Sequence, residues 1–245
     1  MNVADQPQMH VAGTAGVNGV IMTAISRSLS CFLLLFMFFA APAFALDTTG
    51  WRMVSDKNGI QVYMKHDDEA RIKTFRGVTR FRVERLHSVS GVLNDTPNMP
   101  RWMHFISKAK EIRRSDYLNR EYQFLTTLPW PLADREAVVK LLVRQNPVNK
   151  GVTVHVINAP TLLPPNSDYI RFPQMTGVFS FFPTEKEKEV EVTYELVLDP
   201  GGYIPAWIAN IVLKDTPYFT LERLRRVVER PEYADWKDPV LELPW

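Results

Sequence analysis

Cysteine is almost missing from this 245-residue chain, and Cys31 is the only one. That excludes a disulfide framework and a cysteine-based metal site. Other metal chemistry has no foothold either: His66, His87, His104 and His155 are scattered without ligand spacing, and no His-Glu-x-x-His run occurs. A Gly-x-Ser-x-Gly elbow, a catalytic cysteine and a phosphate-cradling glycine loop are all lacking. The net charge is only +2, with no long basic run, so nucleic acid is not an expected partner. No apolar run reaches the roughly 20 residues that span a bilayer. No internal repeat, linker or shift in composition divides the chain. No catalytic residue, metal ligand set or cofactor motif is therefore assigned.

A targeting signal is present instead. Arg27 precedes the apolar run at residues 31–41, and Pro42-Ala-Phe-Ala45 supplies small residues at Ala43 and Ala45. This is the layout of a secretory signal peptide cut after Ala45. Met22 is a more usual start for such a signal than Met1. The expected organisation is an extension and signal peptide over residues 1–45, one domain over 46–230 and a tail over 231–245. The Ala-x-Ala site has a bacterial look, so the expected location is the periplasm, across the inner membrane.

Past the signal, the period is mostly two. Asn58-Gly59 marks a hairpin, and Ile60–Met64 and residues 73–83 alternate as strands. Asp67, Asp68 and Glu69 between them read as a solvated hairpin tip. Residues 84–93 and 99–106 read as two short helices, with Trp102, Phe105 and Ile106 on the apolar side of the second. Alternation resumes from Glu111. Tyr122 and Phe124 share a face, as do Ala137, Val139, Leu141 and Val143, and then Val152, Val154 and Val156. Val190, Val192, Tyr194, Leu196 and Leu198 form the clearest strand. Residues 201–230 then repeat apolar side chains at helical spacing, with Pro205 in the first turn and Arg225, Arg226 and Arg230 near the negative pole of the dipole. Pro217 predicts a kink or break near Thr216. Strands at hairpin spacing followed by one long amphipathic helix imply an α+β fold, an antiparallel sheet wrapped over that helix.

Two stretches carry a family resemblance. Leu128-Pro-Trp-Pro-Leu-Ala-Asp-Arg-Glu136 resembles the proline-containing lid loop and Asp-Arg-acidic signature of START domains, the lipid-transfer domains related to steroidogenic acute regulatory protein. Asp199-Pro-Gly-Gly-Tyr-Ile-Pro-Ala-Trp-Ile-Ala-Asn210 resembles the approach to that family's C-terminal helix. The resemblance implies a helix-grip fold, a curved antiparallel sheet around the C-terminal helix, with an internal hydrophobic tunnel for one lipid or hydrophobic small molecule and no cofactor. It makes Trp102, Tyr122, Phe124, Phe179, Tyr194, Trp207, Ile211 and Phe219 candidate lining, Trp130 the lid residue, and Arg135 and Arg171 candidates for polar work at one end. For Arg135 the structural alternative is an ion pair with Asp134 or Glu136, or bonds to the loop backbone.

The expected function is binding and transfer of a lipid in the cell envelope by a monomer that touches the membrane transiently. The apolar loops at 128–132 and 162–165 suit such contact. The rivals are a helix-grip enzyme of the cyclase or aromatase kind, with His104 the only histidine placed for it, and a lipid sensor that transfers nothing. The tail, with Tyr233, Trp236 and Trp245, is expected to dock on a partner or on its own domain.

Overall fold

A computed structural model describes residues 50–65, 73–202 and 204–245. The described residues belong to one compact unit, Thr48–Trp245. The expected signal segment with its cleavage after Ala45, and the acidic tip at Asp67, Asp68 and Glu69, lie outside them.

Ten strands join in one sheet: β1 (Trp51–Lys57), β2 (Ile60–Lys65), β3 (Lys73–Arg82), β4 (Ile106–Arg114), β5 (Asn119–Thr126), β6 (Arg135–Gln145), β7 (Val152–Asn158), β8 (Ile170–Arg171), β9 (Gln174–Pro183) and β10 (Glu189–Asp199). Their order is β1-β2-β3-β10-β9-β7-β6-β5-β4, antiparallel throughout, while the two-residue β8 pairs in parallel with β6. β1 and β2 meet at Asn58 and Gly59, both at positive φ (54° and 72°), as a two-residue hairpin turn of this kind requires.

β10 organises the sheet. Period two puts Val190, Val192, Tyr194, Leu196 and Leu198 on the buried face. Glu191 and Glu195, on the other face, pair with Arg80 and Arg76 directly opposite on β3. Such cross-strand charge pairs support the register, each by roughly 0.2–1 kcal/mol.

Two helices cover the buried face. α1 (Leu86–Asn94) follows β3, and α2 (Ala206–Val227) ends the domain. α2 packs on β3, β2 and β10. Gly77 of β3 permits the contact: a Cβ there would stand 2.8 Å from Leu221 Cδ1 and 2.9 Å from Pro217 Cβ. Among the described residues no helix is long and apolar enough to cross a membrane.

Three local expectations are corrected. Pro217 does not break α2, which stays helical from Ala206 to Val227. The proline is buried against β3, and the Thr216 hydroxyl donates to Val212 O at 2.5 Å one turn back. The second short helix is instead a 3₁₀ turn, Thr96–Arg101, with Pro97 and Pro100 inside it. β4 accordingly starts at Ile106, ahead of the expected Glu111.

The tail docks on its own domain. Leu86 N donates to Trp245 O at 2.9 Å, Ser88 Oγ to Tyr233 O at 3.1 Å, and the Tyr233 hydroxyl to Asp95 at 2.8 Å. Asp238 N donates to His87 Nδ1 at 3.0 Å.

Candidate functional site

Beyond β10 the sheet runs past the helix, and its inward side chains enclose space instead of touching α2. Tyr122 and Phe124 of β5 stack on that wall at 5.6 Å. Leu141, Val143, Val154 and Val156 of β6 and β7 continue it, and Phe179 of β9 completes it. α1 closes the far side with Leu93, and Trp102 meets Phe179 edge-on at 6.0 Å. The enclosed cavity measures about 100 Å³. Room for one water needs roughly 10–15 Å³ on this scale, so the space is more than a packing defect. Apolar cavities of this kind stay dry and take apolar guests.

A second cavity of about 70 Å³ adjoins it under the middle of α2. Val212, Thr216 and Thr220 face it at helical spacing, opposite Leu128, Phe172 and Leu198. Met103, Met175, Tyr194 and Leu196 line both cavities and so form the partition. Two of the four are methionines, unbranched side chains that change rotamer easily. The interior is thus a hollow in two parts, mostly apolar, with polar groups gathered at the end of the first cavity where Ser90, Asn94, Tyr117 and Arg120 lie.

The candidate residues separate into two groups. Trp102, Tyr122, Phe124, Phe179 and Tyr194 line the hollow. Burial pushes the Tyr194 phenol well above its ordinary pKa. Trp102 Nε1 is buried with no hydrogen-bond partner among the described residues. The rest lie off the wall. Trp207 is 61% exposed and Ile211 41%, because the apolar stripe of α2 is wider than the face it buries. Phe219 lies 5.0 Å from His104, outside the lining of either cavity. Trp130 is 88% exposed at the tip of the proline loop, whose Trp130–Pro131 bond is cis, while Leu128 at its base lines the second cavity.

Arg135 and Arg171 also stand outside the hollow, as structural ties. Arg135 is 1% exposed; its Nη1 donates to Ala133 O, and Nε and Nη2 reach Pro200 O and Gly201 O at 3.4 Å. Of the alternatives for this residue, the loop backbone holds it and no direct ion pair forms among the described residues. Burial pulls its pKa down, opposed by the Asp134 charge. It therefore fastens the base of the proline loop to the turn that leads into α2. Arg171 binds Glu136 through Nε at 2.9 Å and Nη2 at 2.6 Å, and reaches Pro160 O, Leu163 O and Pro164 O at 2.7 Å. The parallel β8–β6 pairing sets Arg171 beside Glu136 in register.

His104 lines the second cavity, its ring tilted against Phe105 with the centroids 3.9 Å apart. Burial, helped by the charge of Arg223, lowers its pKa to about 4, and its Nδ1 has no partner among the described residues. No cluster of metal-ligating side chains occurs among the described residues.

Sequence reasoning missed the α2 threonines, which look polar but have their hydroxyls occupied: Thr216 by Val212 O, and Thr220 by the His104 N–H at 3.1 Å. Their spacing with Val212 was the available signal. It also missed Arg120, which shares the inner face of β5 with Tyr122 and Phe124 by period two.

A hollow of this kind, between a sheet and a carboxy-terminal helix, defines a binding domain for an apolar molecule. The START domain model matches residues 43–233, and the chain belongs to the START domain family, whose members bind lipids and other hydrophobic ligands. An uncharacterized protein of Pseudomonas aeruginosa is 27% identical over 180 residues, covering 74% of this chain and 87% of that protein. The crystal structure of a STAR-related lipid transfer protein fragment from Xanthomonas axonopodis superposes with a TM-score of 0.66 at 28% identity, covering 74% of this chain and 99% of the fragment. Human StAR-related lipid transfer protein 5 shares the fold, with a TM-score of 0.64 at 15% identity over 85% of this chain and 97% of its own.

Proposed function

We propose that this protein holds one lipid, or a comparably apolar small molecule, in the two-part hollow and carries it between membranes of the cell envelope as a monomer, changing no bond. The observation that carries this reading is the apolar hollow itself. An acyl chain loses about 0.8 kcal/mol per CH₂ on entering water, so a carrier must offer matching apolar wall, and β5, β6, β7 and β9 supply it.

The proline loop is the proposed lid. Its base lines the second cavity through Leu128, and Arg135 holds its other end to the turn before α2. Trp130 and Trp207 stand exposed on the two elements that flank this cavity. Exposed tryptophan belongs at a bilayer interface, so this end is the proposed membrane contact. The secretory signal read from residues 27–45 supports the envelope location. For an enzyme, His104 would need an acid–base partner, and the charge acting on it is that of Arg223.

Transfer between two vesicle populations tests the lid. Trp130→Ser is expected to slow transfer severalfold and to leave binding of a lipid in solution unchanged. Equal transfer rates for the variant and the parent would contradict the lid assignment.

A further inference from the structure

The inner end of the first cavity contains an arginine whose hydrogen-bonding is incomplete. Arg120 is 7% exposed and lines the cavity beside Tyr122. Tyr117 holds it from below, accepting from Nε at 2.9 Å and Nη2 at 2.7 Å through its carbonyl and lying under the guanidinium with its ring at 4.8 Å. Asn94 Oδ1 of α1 accepts from Nη2 as well. Nη1 makes no hydrogen bond, and no carboxylate stands within ion-pair distance of this guanidinium among the described residues. The neighbouring acids are engaged elsewhere. Both oxygens of Glu111 bind Arg114 at 2.8 Å, and the Tyr122 hydroxyl donates to it at 3.0 Å. The Arg114 guanidinium, then the Tyr122 hydrogen bond and, least, the more distant charge of Arg120, hold the Glu111 carboxyl below its ordinary range. Asp238 of the tail accepts from Ser90 Oγ, from the Tyr117 hydroxyl at 3.0 Å, and from the N–H groups of Val240 and Leu241 at 2.9 and 2.7 Å.

Among the described residues two guanidinium N–H groups are therefore left without an acceptor on a residue that lines a mostly apolar cavity. A charged donor in apolar surroundings gains more from an acceptor than one in water does. An anionic oxygen meets such donors better than a neutral one, because hydrogen bonds between ions are roughly twice as strong. We infer that Arg120 is the head-group site of the hollow, and that the ligand is an amphiphile with an apolar body and a terminal oxyanion, a carboxylate or a phosphate monoester, bound head inward. The apolar body then runs along β6 and β7 towards the partition and the second cavity. The inference rests on the lipid-binding reading and specifies the ligand and its orientation. The tail takes part: Asp238 fixes Tyr117, which fixes Arg120, and Leu241 lines the same cavity.

The test compares dodecanoic acid, dodecyl phosphate and dodecanol, at mildly alkaline pH, by displacement of a fluorescent fatty probe from the whole protein. One of the two anions is expected to bind at least roughly tenfold more tightly than the alcohol, the scale of one charge-assisted hydrogen bond. A preference for the acid assigns a carboxylate head, and a preference for the ester a phosphate. Arg120→Gln is expected to remove the preference by weakening the anion alone, and Arg120→Lys to keep part of it. The comparison in the unmodified protein decides the matter even if both variants fail to fold. Equal binding of alcohol and anions overturns the head-group site and leaves the lipid-binding reading standing. Binding of none of the three, with no uptake of the probe, overturns both.

Discussion

The two halves of the sheet present similar inward faces and use them differently. On β2 and β3, Ile60, Val62 and Phe75 are fully buried, and α2 presses against the strands at Gly77. On β6 and β7, Leu141, Val143, Val154 and Val156 are only partly buried, because they face the hollow. β10 is the divide: Tyr194 pairs with Gly77 on one side and Phe179 on the other. Residue type therefore does not decide which half is solid. What decides is where the helix reaches, and the chain spends one half on stability and the other on a binding space.

Mutations separate the halves. The largest effect is expected in the solid half, where Leu221→Ala should cost about 2–5 kcal/mol, the range for deleting a fully buried leucine. Gly77→Ala places a methyl against Leu221 and Pro217 and should cost about 1–3 kcal/mol by overpacking. Urea denaturation measures both, and melting should fall by roughly 2–4 °C per kcal/mol in a domain of this size. In the hollow half, Val154→Phe should change stability by less than about 1 kcal/mol, because the ring enters space that already exists, while binding of an apolar probe is lost. A loss of stability like that of Leu221→Ala would show that the hollow is as tightly packed as the helix contact.

A pH-dependent effect concerns His104. Its imidazole takes a proton near 6.5 when unfolded but only near 4 when folded, so the unfolded state binds more protons between these values. Stability should fall as pH drops from above 6.5 towards 4 and level off below that. Histidine NMR titration locates the folded pKa, and His104→Gln should flatten that part of the stability curve.

Much of this was legible in the letters. β10 could be read from alternation alone, and the aromatic wall of Trp102, Tyr122, Phe124, Phe179 and Tyr194 fell on the expected faces. Helical periodicity located α2 but not which of its apolar residues turn inward: Trp207 and Ile211 belong to the stripe and remain exposed. Pro217 misled because the local penalty was visible and the opposing Gly77, distant in sequence, was not. Arg120 had a local signal, a charge two residues before Tyr122 on an apolar face. The register shift in β4 opposite β5 between Glu111 and Arg113 is a non-local feature that alternation on one strand cannot reveal. Arg135 and Arg171 were candidates for polar work at one end of the tunnel, but their carbonyl partners come from loops and turns that pattern alone does not bring together.

The most direct test is native mass spectrometry of the protein purified from its own compartment, followed by organic extraction of whatever it carries. The account predicts one amphiphile per protein molecule, lost in Val154→Phe and retained in Trp130→Ser. A protein that is empty as isolated, and stays empty when offered mixed envelope lipids, would contradict it.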